Sequence, residues 1–93
     1  MMIEYDQNKR DATLENRGLD FEDASKVFAG RHFQIVDDRE DYGEIRWITL
    51  GRLGRVLVVV VWTGRGDVRR IISMRKCNAR EGKRFESRLG GSG

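Results

Sequence analysis

Apolar residues in this chain recur with two different periods, and the change from one to the other divides it. In FEDASKVFAG, Phe21, Ala24, Val27 and Phe28 fall three and four residues apart, the spacing of one helix face. Beyond it, short apolar runs bounded by polar or glycine-containing loops read as strands at about Phe33 to Asp37, Glu44 to Gly51, Arg55 to Thr63 and Val68 to Arg75. The loops DREDYG, RLG and GRG between them are short enough to favour antiparallel neighbours, which predicts a β-meander. In the third of these strands Val56, Val58, Val60 and Trp62 point one way and Leu57, Val59 and Val61 the other. Both sets are apolar, so this strand is expected at the centre of the sheet, covered on both sides or covered on one by a partner.

The flanks complete the pattern. Met2 to Tyr5 can form a short strand, and Asp6 is placed to cap a helix running to about Arg17, with Gly18 at the usual helix-stop position. Asp20 then caps the helix that carries Phe21 to Phe28, and Asn78 with Glu81 three residues later has the form of a capping box opening a last helix through about Arg88. The order is βααββββα, an α+β fold with two N-terminal helices, an antiparallel meander sheet and one C-terminal helix. With no proline, no internal repeat and no linker, residues 1–89 read as one domain and residues 90–93, GGSG, as a flexible tail. A chain of 93 residues buries roughly two thirds of its unfolded surface, enough for one sheet with a few helices on it.

Charge changes this picture by splitting the chain. Residues 1 to 46 hold 7 Lys or Arg against 12 Asp or Glu, and residues 47 to 93 hold 11 against 3, so the halves carry −5 and +8. Of the 18 basic residues 14 are arginine, which keeps its charge at any working pH and presents a planar fork of donors suited to phosphate oxygens. The basic half suggests a polyanionic partner such as nucleic acid, and the acidic half argues against uniform coating by it. Cys77 alone excludes an intrachain disulfide, and with His32 as the only histidine no protein-built metal site is expected. The apolar run Val56 to Trp62 is far too short to cross a bilayer as a helix, and the N-terminus lacks the regions of a signal peptide, so a cytoplasmic protein is expected.

Candidate chemistry concentrates on the segment Val68 to Lys76. As a regular strand it would place Val68, Arg70, Ile72 and Met74 on one face and Arg69, Ile71, Ser73 and Arg75 on the other, leaving neither face cleanly apolar. An arginine among apolar neighbours must keep its head in water, pair with a carboxylate or meet a ligand. Arg70 therefore reads either as the partner of an acidic residue of the first half or as a phosphate contact, and Arg69, beside a turn, as an exposed cation. Trp47 and Trp62 read as core, with base stacking as the alternative for Trp62. Arg46, Arg55 and Arg65 stand at strand ends and a turn, where they can meet an RNA backbone or water. Lys9 and Arg10 read as ordinary helix-face charge.

Taken together, IEYDQNK, GLDFEDASKVF, EIRWITLG, GRVLVVVVWTGRGD, RRIISMRK and the helix opened by Glu81 resemble, in order and spacing, the BrnT family of small RelE-like ribonuclease toxins from BrnT/BrnA toxin–antitoxin systems. The resemblance spans nearly the whole chain. It implies a RelE-like fold and a metal-independent endoribonuclease, without cofactor, in which the RNA's own 2′-hydroxyl attacks the adjacent phosphorus and translation is inhibited. It also implies neutralisation by a BrnA-type antitoxin, and binding of operator DNA only through that antitoxin. Arg70, Ser73 and Arg75 match the family's R-I-I-S-x-R segment and Glu81 its acidic residue at the last helix, which makes these four the catalytic candidates; Arg46, Arg55, Trp62, Arg65 and Arg69 are the RNA-binding candidates. Two difficulties attend the assignment. Strand alternation sends Arg70 and Arg75 to opposite faces unless the strand bends or ends near Ser73. The chain also departs from the family pattern, with Asn16-Arg17-Gly18 where Lys-His-Gly is usual and Phe85 where a tyrosine is common, so a catalytically weakened RNA- or antitoxin-binding module is the alternative.

Overall fold

Glycine decides where the central strands reverse. The computed structural model describes residues 2–89. Its elements are β1 (Met2–Tyr5), α1 (Gln7–Arg17), a 3₁₀ turn (Phe21–Asp23), α2 (Ala24–Ala29), β2 (His32–Val36), β3 (Arg46–Leu53), β4 (Val56–Arg65), β5 (Val68–Lys76) and α3 (Ala79–Leu89). The β3–β4 and β4–β5 hairpins turn on Gly54-Arg55 and Gly66-Asp67, with glycine first at φ 62° and 60°. That left-handed first position strains any residue with a Cβ and is where two-residue hairpins use glycine. The expected Gly/Ser tail, residues 90–93, lies outside the described residues.

The five strands lie in the order β1-β5-β4-β3-β2. From β2 to β5 they form the expected antiparallel meander, each paired with its neighbour in sequence. The expectation of a purely antiparallel sheet is corrected at β1, which pairs parallel with β5 from Met2↔Val68 to Tyr5↔Ile71. A parallel neighbour needs a long crossover, and α1, α2 and the meander together supply it. The second helix is also corrected: Asp20 accepts the Glu22 N–H and caps only the 3₁₀ turn, after which α2 begins at Ala24.

Both faces of β4 are covered by the chain itself. On one side, Leu19, Phe21, Ala24 and Val27 pack on Val58, Val60, Trp62, Ile71 and Met74. On the other, Phe85 of α3 packs with Phe33, Leu50 and Val59. We refer to these as the α2 face and the α3 face. No partner is needed to cover the valine strand.

Gly51 shows how closely α2 is seated. A Cβ there would stand 2.8 Å from Val27 Cγ1 and 3.1 Å from His32 Cβ, and Val27 is fully buried with nowhere to retreat. Gly51→Ala is expected to cost about 1–3 kcal/mol by overpacking, with a Tm about 4–8 °C lower per kcal/mol for a domain of this size. Thermal denaturation followed by circular dichroism checks it; an unchanged Tm would show that α2 shifts freely.

Candidate nucleic-acid interface

The arginines of β5 are held against a strand that cannot easily move, since Val58, Val59 and Val60 are all at most 1% exposed. Pairing with β4 runs from Arg65↔Val68 through Thr63↔Arg70 to Trp62↔Ile71, then skips to Val61↔Ser73 and continues to Val59↔Arg75. Ile72 is the extra residue of a β-bulge, opposite no position of β4. One added residue inverts the alternation of everything after it. Arg70, Ser73 and Arg75 therefore oppose Thr63, Val61 and Val59, alternate positions of β4, and all three share the α3 face. Their spacing is two strand steps each, about 7 Å, or roughly 13 Å from Arg70 to Arg75. The expected conflict between the two arginines is removed by the bulge.

Each arginine has a carboxylate in reach. Arg70 Nη1 donates to Glu4 Oε2 at 2.9 Å, the residue directly opposite it in the parallel register with β1. This is the ion pair with the acidic half that the sequence allowed. Arg75 forks onto Glu81, Nη1 to Oε1 at 2.8 Å and Nη2 to Oε2 at 2.7 Å. Glu81 also completes the capping box: its Oε1 accepts the Asn78 N–H at 2.9 Å, and its own N–H donates to Asn78 Oδ1 at 2.8 Å. The Arg75 guanidinium and the Asn78 N–H hold the Glu81 carboxyl below its ordinary range, so it is ionised at neutral pH.

At the Arg70 end of the strip lie Arg46, opposite Thr63, and Arg65, opposite Val68. Glu44 stands between them, 3.6 Å from Arg46 Nε and 4.0 Å from Arg65 Nη2, and the Arg46 guanidinium also rests 3.9 Å from the Tyr42 ring centroid. Arg55 is exposed at the β3–β4 turn, at the opposite end of β4 from Arg65. Ten strand steps, roughly 30 Å, separate those two, so they cannot hold the same nucleotide.

Two of the RNA-binding candidates are less open than expected. Trp62 is only 7% exposed; it stacks on Trp47 at 6.1 Å and its indole N–H donates to Thr49 Oγ1 at 2.8 Å. No base can reach it. Arg69 is half-buried rather than exposed, and on the α2 face, its guanidinium 4.0 Å from the Phe28 ring centroid and 4.8 Å from that of Trp62. Burial lowers its pKa, and its Nε finds no hydrogen-bond partner. Lys9, expected to be ordinary helix-face charge, and Arg17, noted only as a departure from the family pattern, line a cleft against Ser73. Their eight-residue separation, two helical turns on one face, was the available signal.

The Arg75–Glu81 pair makes a pH prediction. Because the folded pKa of Glu81 is lowered, its contribution to stability is present above the unfolded value of 4.5 and is lost as pH falls through the folded value. Glu81→Gln should therefore lower stability at pH 7 by about 1 kcal/mol or less, the pair being partly exposed. The gap to the parent chain should close in acid. Urea unfolding midpoints at neutral and acid pH check this; a gap that persists or widens in acid contradicts it.

Comparison with curated proteins gives no match. A family profile described as "Ribonuclease toxin, BrnT, of type II toxin-antitoxin system" matches residues 5–81. That match spans the Tyr5 end of β1, the whole meander and the bulge, and it ends on Glu81. The chain belongs to the BrnT family of ribonuclease toxins of type II toxin–antitoxin systems.

Proposed function

We propose that the chain is a metal-independent endoribonuclease whose reaction centre lies on the α3 face around Arg70, Ser73, Arg75 and Glu81. The observation that carries this reading is the bulge at Ile72, which aligns three donors of one strand on a single face. In the proposed reaction the 2′-hydroxyl gives its proton to the ionised Glu81 as its oxygen attacks the adjacent phosphorus, the bond from phosphorus to the 5′-oxygen breaks and that oxygen takes up a proton, and the products end in a 2′,3′-cyclic phosphate and a 5′-hydroxyl. Negative charge grows on the phosphate oxygens at the transition state, and two preorganised guanidiniums answer it. Glu81 fixes the direction of the Arg75 fork and is an ionised proton acceptor beside it. Ser73 donates to a phosphate oxygen. Arg46 and Arg65 extend the positive strip along the RNA backbone.

In this reading the free toxin lowers translation, a BrnA-type antitoxin silences it, and operator DNA is met only through that antitoxin. The fold would be of the RelE-like kind. A second reading, a binding module without catalysis, is favoured by one observation: both arginines already hold carboxylates, and Phe85, standing where relatives commonly have a tyrosine, is buried at 4% exposure and brings no hydroxyl to the site.

Incubation with synthetic RNA in EDTA separates the two. Cleavage with cyclic-phosphate ends is expected, reduced about 10²–10³-fold in Arg70→Ala and Arg75→Ala, the usual loss for one transition-state donor. RNA left intact at high protein concentration, or products with 5′-phosphates, would overturn the ribonuclease reading for this chain. Retained antitoxin binding without a growth defect on induced expression would support the binding module.

A further inference from the structure

A helix lying against a sheet ordinarily turns an apolar stripe toward it, and α1 does not. It has no buried residue. It is held instead at its ends and by charge: Asp6 accepts the Asn8 and Lys9 N–H groups, Gly18 closes the C-terminus at φ 68°, and Arg10 pairs with Asp20 at 2.8 Å. The residues it presents to β5 are Lys9, Ala12, Thr13, Asn16 and Arg17, spaced as one helix face, opposite Ile72, Ser73 and Met74. The parallel register with β1 ends at Ile71. Beside the bulge, then, the neighbour of β5 is α1 and not a strand.

The space between them is a cleft of about 280 Å³, near the lower limit of roughly 300 Å³ for ligand-sized sites and of a size for one sugar-phosphate unit. No carboxylate lines it. Lys9 and Arg17 make no ion pair among the described residues, and the one hydrogen bond of the Arg17 side chain is a long one, 3.5 Å to the Met74 carbonyl. Arg46, Arg65, Arg70 and Arg75, by contrast, each have a carboxylate within 4.0 Å. Two cations without acids, two hydroxyls and one amide form a site for an anion.

We propose that this α1–β5 cleft binds an RNA phosphate next to the one at the reaction centre, with Lys9 and Arg17 as its cations and Ser73 as the wall shared between the two. It rests on the ribonuclease reading for its ligand but not for its test. The bulge that turns Arg75 onto the α3 face also opens this cleft, so a strand passing from Arg70 or Arg75 across Ser73 arrives between Lys9 and Arg17. The cleft sets where RNA lies and is not required for bond cleavage itself.

The test uses 2′-O-methyl oligonucleotides of two to six residues, which cannot be cut, with binding followed by fluorescence anisotropy over a range of salt. The parent chain is expected to bind more tightly in a step once the oligonucleotide is long enough to fill the cleft. Lys9→Gln with Arg17→Gln should lose that step and flatten the slope of log K against log salt by about 1.4, at about 0.7 per cation on a single strand; Arg17→Lys should keep both. Should the double variant fail to fold, Lys9→Gln alone, at an exposed position, should show about half the change in slope. Long oligonucleotides bound equally by parent and variant, or a variant weakened as much for the dinucleotide as for the hexamer, would overturn the proposal. So would competition by inorganic phosphate in a chain that gains nothing from RNA length. Failure of the parent chain to cleave ordinary RNA bears on the ribonuclease reading alone, because anisotropy reads the cleft without cleavage.

Discussion

A strand's side chains alternate, and the only covalent way to bring two residues an odd number of positions apart onto one face is to add or remove a residue between them. Arg70 and Arg75 are separated by an odd number, and Ile72 supplies the correction. The correction holds only if the neighbouring strand does not absorb it by sliding. β4 is fixed on both sides, its Val58, Val59 and Val60 sealed between α2 and α3, and a slip of one residue would exchange the sets packed under the two helices, taking Trp62 from the α2 face to the other. The irregularity is therefore confined to β5. The positions of Arg75, the entry of α3 through Glu81 and the width of the α1–β5 cleft all follow from that confinement.

The acidic half of the chain answers the basic half at particular places. Glu4 meets Arg70 across the β1–β5 ladder, Asp20 meets Arg10, and the carboxyl of buried Asp37, only 4% exposed, has its pKa held down to about 2 by Arg39, with the Arg39 N–H and the Tyr42 hydroxyl also donating to it. These pairs differ in what a ligand would have to displace. Asp37 and Arg39 tie down the loop that carries Tyr42, on whose ring the Arg46 guanidinium rests. Glu4 and Glu81 instead hold two half-buried arginines in fixed directions, and fixed donors lose less freedom when they meet a phosphate than mobile ones. A carboxylate also competes with the phosphate it helps to align. Partial exposure keeps that competition modest, since a half-solvated ion pair is worth little against water.

Element order and the central place of β4 were legible in the sequence because periodicity and glycine placement are local signals, and the meander follows from short loops. The pairing of β1 with β5 was not, because it joins residues more than sixty positions apart and the chain carries no local mark of it. The bulge was invisible for a different reason: Ile72 is apolar and fits either face. Arg70, Ser73, Arg75 and Glu81 were picked out by charge in an apolar context and by likeness to relatives, yet their common face could be read only from the register. Lys9 was unremarkable alone, and Arg17 stood out only as a departure from the family pattern. What distinguishes them is that they line one cleft with no carboxylate in its wall, a property of the folded arrangement.

Adjacent residues Arg69 and Arg70 show how the same side chain is given two uses by one step of alternation. Arg69 points to the α2 face and lies over Phe28 and Trp62, where stacking on two rings offsets part of the cost of its desolvation. It shields the edge of Trp62, whose indole is committed to Trp47 and Thr49. Arg70 points to the α3 face, where its neighbours across the sheet are Glu4, Thr63 and, one strand further, Arg46, whose guanidinium rests on the Tyr42 ring. The aromatic residues thus bind one arginine into the core and leave the other free of it. The rings of the α2 layer are engaged with one another, Tyr5 with Phe21, Phe28 with Trp62 and Trp62 with Trp47, and the β5 arginine that joins them is Arg69.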